Sequence, residues 1–193
     1  MIYMLIELVV STVLLIPVFL ILQKIRLHTF RLTIIHFLFA AYLAAVYLLV
    51  GLPTSQFIRF DINLSLIPFV GMIDDLRNTI LNVLLFIPLG FFLPLLWRKY
   101  QAFHNIILFG LSMTLSIECL QLFNYRATDI NDIITNVFGT VIGFFLFGFL
   151  KKPISKFYTA SNRTNDMSVL FFSVIAVMFF IQPWVMTGVY YII

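Results

Sequence analysis

The chain has 193 residues, of which 62% are hydrophobic and only 10% are charged. Soluble domains carry about 25% charged residues, so this composition excludes an ordinary soluble protein and indicates an integral membrane protein. The net charge of +4 comes from short basic clusters beside apolar segments. Such clusters are typical of topology determinants, and we therefore expect no nucleic-acid partner.

Hydropathy predicts six membrane spans, because a crossing helix needs about 20 mostly apolar residues. The predicted spans cover about residues 3–22, 33–52, 77–97, 104–123, 131–150 and 168–191. No Lys or Arg precedes Lys24, so we expect a retained first span and not a cleaved signal peptide. The predicted fold class is an all-α integral membrane protein, a bundle of about six transmembrane helices that forms a single membrane domain over residues 1–193.

The connection between the second and third spans, residues 52–75, is unusually apolar for a loop. Pro53, Pro68 and Gly71 interrupt it, and residues such as Ile67 and Phe69 stand between them. Proline and glycine disfavour a regular helix here. We expect this loop to dip onto the membrane interface or to fold over the bundle.

Basic residues are distributed unevenly between the two sides of the predicted bundle. Nine of the 12 Lys and Arg residues follow the first, third and fifth spans. The positive-inside rule places these connections in the cytoplasm and both termini on the extracytoplasmic side. The predicted localisation is therefore the cell membrane, with multiple passes.

The fourth predicted span contains the only cysteine, Cys119. One cysteine cannot form an internal disulfide, and the three histidines are scattered along the chain. We expect Cys119 to be a small buried hydrophobic residue. We expect neither a metal site nor a cofactor.

Polar and charged residues lie inside the third, fourth and fifth predicted spans. They are Asn78, Asn82, Glu118, Gln121, Asp132 and Asn136. A charged group at the centre of a membrane helix costs roughly 2–4 kcal/mol, so several together indicate a shared polar cavity. Asn78 and Asn82 are four residues apart, Glu118 and Gln121 are three apart, and each pair therefore shares a helix face.

The fifth span carries a longer stripe of the same kind. Asp129, Asp132, Asn136, Gly139 and Gly143 recur at helical spacing. We predict that the polar residues of the three spans meet in a pocket in the outer leaflet. Gly139 and Gly143 form a small-xxx-small pattern, which predicts close packing of two helix backbones.

Structural interpretations of several of these residues remain open. Asp129 and Asp132 could cap the fifth span, Asn78 could cap the third, and Gln121 could meet water at the headgroups. Glu118 lies too deep for capping. It needs Arg126 or a ligand cation beside it, or it is protonated and can exchange a proton with a substrate. Glu118, Asp129 and Asp132 are accordingly candidate catalytic residues as well as binding residues.

Four sequence segments resemble the VanZ-like membrane proteins, a family named for an accessory protein of glycopeptide resistance that raises tolerance to teicoplanin. The segments are Asn63 to Phe69, Asn82 to Gly90, Glu118 to Gln121, and Arg126 to Gly143 with Asp129, Asp132, Asn136 and Gly139. The resemblance covers roughly residues 35–150 and leaves out the extra helices at 3–22 and 168–191.

The resemblance implies a bacterial cell-envelope protein with a role in reduced susceptibility to teicoplanin. Together with the polar residues, it suggests a pocket that binds or modifies a lipid-linked or cell-wall component, or a glycopeptide, at the outer leaflet. Asn78, Asn82, Glu118, Gln121, Arg126, Asp129, Asp132 and Asn136 are the predicted ligand-binding residues. The alternative is a membrane-embedded hydrolase or transferase that uses acid/base chemistry on a lipid headgroup. The oligomeric state stays open.

Overall fold

The computed structural model describes residues 2–22, 24, 30–60, 63–124, 127–155, 160–162 and 165–192. The described helices are α1 (Ile2–Leu22), α2 (Phe30–Leu49), α3 (Leu76–Leu96), α4 (Phe103–Gln121), α5 (Ile130–Ser155), α6 (Asn165–Ala176) and α7 (Gln182–Ile192). A π-helical turn, Val177–Ile181, joins α6 to α7, and a 3₁₀ turn, Arg98–Gln101, connects α3 to α4. Two short strands, β1 (Leu64–Ser65) and β2 (Thr128–Asp129), complete the described elements.

The predicted all-α membrane fold is confirmed. Five helical segments are long and apolar enough to cross a membrane: Tyr3–Leu22, Leu76–Leu96, Phe103–Gln121, Ile130–Ile154 and Asn165–Tyr191. The predicted second span corresponds to α2, a helix of 20 residues that includes the apolar stretch Thr33–Leu49. The protein is thus a multi-pass membrane protein. The side of the membrane on which the termini lie stays a prediction.

The chain divides into two compact units. The first unit contains Met1–Ile58 and Asn165–Ile193, and the second contains Arg59–Thr164. All the predicted site residues belong to the second unit. The grouping of residues 1–193 into one membrane domain stays a prediction.

In the first unit, one backbone carbonyl near the start of the final helix lacks its helical hydrogen-bond partner, and a loop residue supplies the missing donor. Pro183 has no N–H, so the carbonyl of Phe179, four residues earlier, lacks its usual helical partner. The Ser55 N–H donates to this carbonyl at 3.0 Å. A π-helical turn at Val177–Ile181 accompanies the missing helical bond. The loop after α2 therefore supplies the hydrogen bond that a membrane helix cannot obtain from lipid.

In the second unit, α3 and α5 pack with their backbones almost in contact. A methyl group built on Gly139 would lie 2.2 Å from the Val83 carbonyl oxygen, and one on Gly143 would lie 2.0 Å from that of Ile87. Gly90 of α3 faces the Thr140 carbonyl in the same way, at 1.9 Å. Only glycine permits this approach. The predicted small-xxx-small packing is confirmed.

The prediction that Cys119 is buried is wrong. Cys119 is a free, exposed cysteine on α4. It continues an exposed stripe with Leu108, Leu111 and Leu115 at helical spacing. In a bilayer the outward face of a helix is as apolar as its core. An apolar sequence context therefore does not indicate burial within the protein.

The β1–β2 pair joins the segment before α3 to the segment before α5. The strands are parallel, and Leu64 pairs with Thr128 and Ser65 with Asp129. The Thr128 N–H also donates to the Asn63 carbonyl at 2.9 Å. We call this end of the second unit, where α3 and α5 begin and α4 ends, the polar end.

Candidate functional site

A direct side-chain contact joins α3 to α5 at the polar end. Asn82 Nδ2 donates to Asp132 Oδ1 at 2.7 Å, and both residues are half-buried. Asp132 lies in the first turn of α5. Unpaired N–H groups and the helix dipole stabilise a carboxylate at this position. The sequence prediction that Asn82 and Asp132 face each other agrees with this geometry.

Glu118 joins α4 to the start of α5. Its side chain is 2% exposed, and Oε2 accepts the Asp129 N–H at 3.0 Å. The Thr128 hydroxyl donates to the Glu118 backbone carbonyl, also at 3.0 Å. Glu118 thus holds both residues of β2. A buried carboxylate that accepts a backbone N–H is a strong, charge-assisted interaction when the carboxylate is ionised.

A second contact joins α4 to α5 one turn deeper. Asn136 is 3% exposed, and its Nδ2 donates to the Thr114 hydroxyl at 2.9 Å. The Oδ1 atom of Asn136 is buried and has no hydrogen-bond partner among the described residues. Thr140 follows on the same face, and its hydroxyl donates to the Asn136 carbonyl at 3.0 Å. The polar stripe of α5 therefore continues into the helix interface.

The other predicted residues occupy different surroundings. Asn78 is exposed, and its N–H donates to Asp75 Oδ1 at 3.3 Å, so Asn78 belongs to the cap of α3. Gln121 is buried in the last turn of α4. Asp129 Oδ1 accepts the Asn131 N–H at 2.8 Å, which is a helix-capping contact at the start of α5. Arg126 lies outside the described residues.

Asn131 is a buried residue that the spacing analysis missed. Its Oδ1 accepts the Phe69 N–H at 2.7 Å, and its Nδ2 donates to the Val70 carbonyl at 2.9 Å. It ties the loop before α3 to the first turn of α5. Asn131 precedes Asp132 in the sequence but does not belong to the stripe that begins at Asp129. A search for residues at helical spacing therefore does not detect it. Thr114 was detectable, because it precedes Glu118 by four residues on one face of α4.

The site is rich in hydrogen-bond acceptors. Its half-buried or buried carboxylates come from Glu118, Asp129 and Asp132. Carboxylates accept hydrogen bonds from hydroxyl and amino groups, and they attract cations. Among the described residues, no three His, Cys, Asp or Glu side chains are arranged to hold a metal ion.

Comparisons with known proteins place this chain in a family. The sequence profile described as VanZ/LLP1 matches residues 39–151. The chain is similar to the protein VanZ of Enterococcus faecium, with 35% identity over 95 residues, which is 49% of this chain and 58% of that protein. The matched region thus spans less than two thirds of that relative. No solved structure matches the chain. The profile covers more than half of the sequence, including all the candidate site residues, and the chain therefore belongs to the VanZ/LLP1 family.

Proposed function

We propose that the polar end of the second unit binds, at the outer leaflet, the hydroxyl- or amine-bearing part of a lipid-linked or cell-wall component. The observation that carries this proposal is the convergence of α3, α4 and α5. Asn82 contacts Asp132 at 2.7 Å, and Glu118 contacts the Asp129 N–H at 3.0 Å. Three carboxylates collected in a membrane protein are costly unless protein, water or a ligand solvates them.

The chemistry of these residues favours ligands that donate hydrogen bonds over anionic ligands. Ionised carboxylates only accept hydrogen bonds, and sugar hydroxyls and ammonium groups supply the matching donors. The buried Asn136 Oδ1 offers one more acceptor below them. A glycosylated or amine-bearing headgroup fits this set.

Membership of the family adds a phenotype to the proposal. The resemblance to VanZ-like proteins implies reduced susceptibility to teicoplanin. Teicoplanin carries an acyl chain that anchors it at the membrane surface, where an outward-facing polar site would meet it. We therefore include the glycopeptide itself, or the cell-wall component to which it binds, among the ligands of the proposal.

Mass spectrometry of co-purified lipid tests the binding proposal. The wild-type protein is extracted in mild detergent beside the Glu118→Gln and Asp132→Asn variants, which keep the side-chain shape and lose the charge. Asp74→Asn is the matched control, because Asp74 is an exposed acid next to the cap of α3. We expect one enriched envelope lipid in the wild-type and control samples and a reduced amount of it in both site variants. Identical lipid profiles in all four samples would contradict the proposal.

The same Glu118→Gln variant separates binding from catalysis. In the alternative function, a hydrolase or transferase acting on a lipid headgroup, Glu118 is the acid or base. The side chain of Glu118 is only 2% exposed, and buried carboxyl groups of this kind often serve in proton transfer, which favours this alternative. An acid/base role predicts that Glu118→Gln abolishes teicoplanin tolerance while membrane abundance is unchanged. A binding role predicts a partial loss, and disappearance of the protein from the membrane would indicate a role in helix assembly.

A further inference from the structure

The loop before α3 has the composition of a lipid-exposed surface. We call residues Leu66–Ile73 the wedge. Its apolar side chains point outward, with Ile73 86% exposed and Phe69 69% exposed. Leu66, Ile67 and Val70 are also exposed. A soluble loop with this surface would be an aggregation site, so the exposed apolar groups require an apolar neighbour.

Four backbone groups of the wedge form hydrogen bonds within the protein. The Phe69 N–H and the Val70 carbonyl both bond to the side chain of Asn131. The Gly71 carbonyl accepts the Asp75 N–H at 2.9 Å, and the Met72 carbonyl accepts the Thr79 hydroxyl at 3.1 Å. Water normally satisfies such groups in an exposed loop. Internal partners for these four groups lower the cost of placing this non-helical backbone beside lipid.

Two residues of the wedge, Phe69 and Gly71, have an unusual backbone geometry. Phe69 has a positive φ of 66°, which is strained for a residue with a bulky side chain. Gly71 follows with a φ of 78°. The two hydrogen bonds with Asn131 hold the chain in this otherwise unfavourable conformation. This part of the wedge is therefore a fixed structure.

The wedge is continuous with the lipid-facing surface of α3. Leu76, Ile80 and Leu84 are exposed along that helix, and the helix crosses the membrane. Asp74 and Asp75, also exposed, stand between Ile73 and Leu76. Apolar and charged side chains that alternate at the end of a membrane helix are expected at the boundary between acyl chains and headgroups.

From these observations we propose that the wedge is inserted among the acyl chains of the leaflet at the polar end. The wedge contacts lipid. Because Asn131 links the wedge to α5, its insertion fixes the depth of the polar end relative to the headgroups. The wedge does not require the site to bind a ligand. Its insertion can therefore be tested separately from the proposed function.

Fluorescence quenching in vesicles tests the insertion. In a Cys119→Ser background, Ile73→Cys and Asp74→Cys are each labelled with bimane and reconstituted in phosphatidylcholine and phosphatidylglycerol vesicles. The vesicles contain either lipids with a nitroxide on the acyl chain or aqueous iodide. Both positions are exposed, so neither substitution removes packed atoms. Because the positions are adjacent, mixed orientations of the protein affect both equally.

We expect the label at position 73 to emit at shorter wavelength than the label at position 74. The acyl-chain nitroxide should quench the label at position 73 more strongly, and iodide the label at position 74. Equal quenching of the two labels by both agents would overturn the proposal, since the wedge would then lie in water. Protection of position 73 from both agents would also overturn it, because another protein segment would then cover the wedge.

Discussion

At the scale of single residues, Asn131 connects the wedge to the first turn of α5. It is buried, and both side-chain atoms that can form hydrogen bonds bind the wedge backbone. Replacing one partner leaves a buried donor or acceptor unsatisfied, which costs about 1–3 kcal/mol. Asn131 therefore contributes more to stability than its position in a first helical turn suggests.

We predict that Asn131→Ala lowers the free energy of unfolding by about 1–3 kcal/mol, since two part-buried hydrogen bonds to the wedge backbone are lost. Asn131→Asp keeps the acceptor for the Phe69 N–H but places a carboxylate oxygen against the Val70 carbonyl, beside Asp129 and Asp132, so we expect it to be destabilising as well. Thermal denaturation in detergent measures both effects. Asn63→Ala is the control, an exposed asparagine for which we expect little change. Equal melting temperatures for Asn131→Ala and the control would contradict the prediction.

Glu118 permits a second residue-scale prediction. Its Oε2 accepts the Asp129 N–H, and Gln retains an oxygen at this place, whereas Ala does not. Glu118→Ala should destabilise the protein by about 1–3 kcal/mol through the unpaired buried N–H, and Glu118→Gln should cost less. The comparison of melting temperatures gives the order. Equal melting temperatures for the two variants would mean that the carboxylate charge, which both lack, and not the hydrogen bond, stabilises the start of α5.

At the scale of secondary structure elements, the contact between α3 and α5 determines where the polar end is assembled. Gly139 and Gly143 let α5 approach the carbonyls of Val83 and Ile87. Asn82 and Asp132 lie further along the same pair of helices and hydrogen-bond at 2.7 Å. Separation of the two helices would lengthen this bond. The glycine pair therefore stabilises the site as well as the bundle.

We predict that Gly143→Ala is strongly destabilising. The added methyl group would lie 2.0 Å from the Ile87 carbonyl oxygen, and a backbone atom cannot move aside as a flexible side chain can. Overpacking of this kind costs typically about 1–3 kcal/mol, and the upper end is expected here. Gly148→Ala on the same helix is the matched control, because nothing lies within 4 Å of its added methyl group. Membrane abundance and melting temperature should fall for Gly143→Ala alone.

The apolar nature of the bilayer explains which of these elements could be predicted from the sequence. Hydropathy was sufficient for the helices, because each crossing needs a long apolar segment. Helical spacing was sufficient to bring Asn82 and Asp132 to one place. It could not identify the partner of Asn136, since the rotation and register of α4 against α5 depend on packing. The burial of Cys119 was mispredicted because lipid-facing and buried positions are equally apolar.

At the scale of the whole molecule, the family match and the two units divide the chain differently. The VanZ/LLP1 profile covers residues 39–151, whereas the second unit covers Arg59–Thr164. All candidate site residues lie within both. The helices α1, α6 and α7 lie outside the profile and belong to the first unit. The sequence resemblance over about residues 35–150 agrees closely with the profile, because ordered motifs and not hydrophobicity carried it.

The orientation of the polar end is a prediction about the whole molecule, and the proposed function depends on it. Nine of 12 basic residues follow the first, third and fifth spans, and the positive-inside rule then places the polar end outside. In a Cys119→Ser background, we expect Ala127→Cys to react with a membrane-impermeant maleimide on intact cells. Lys99→Cys, exposed beside the 3₁₀ turn after α3, should react only after permeabilisation. The opposite labelling pattern would place the carboxylates of the site in the inner leaflet, where they could not meet a glycopeptide from outside the cell.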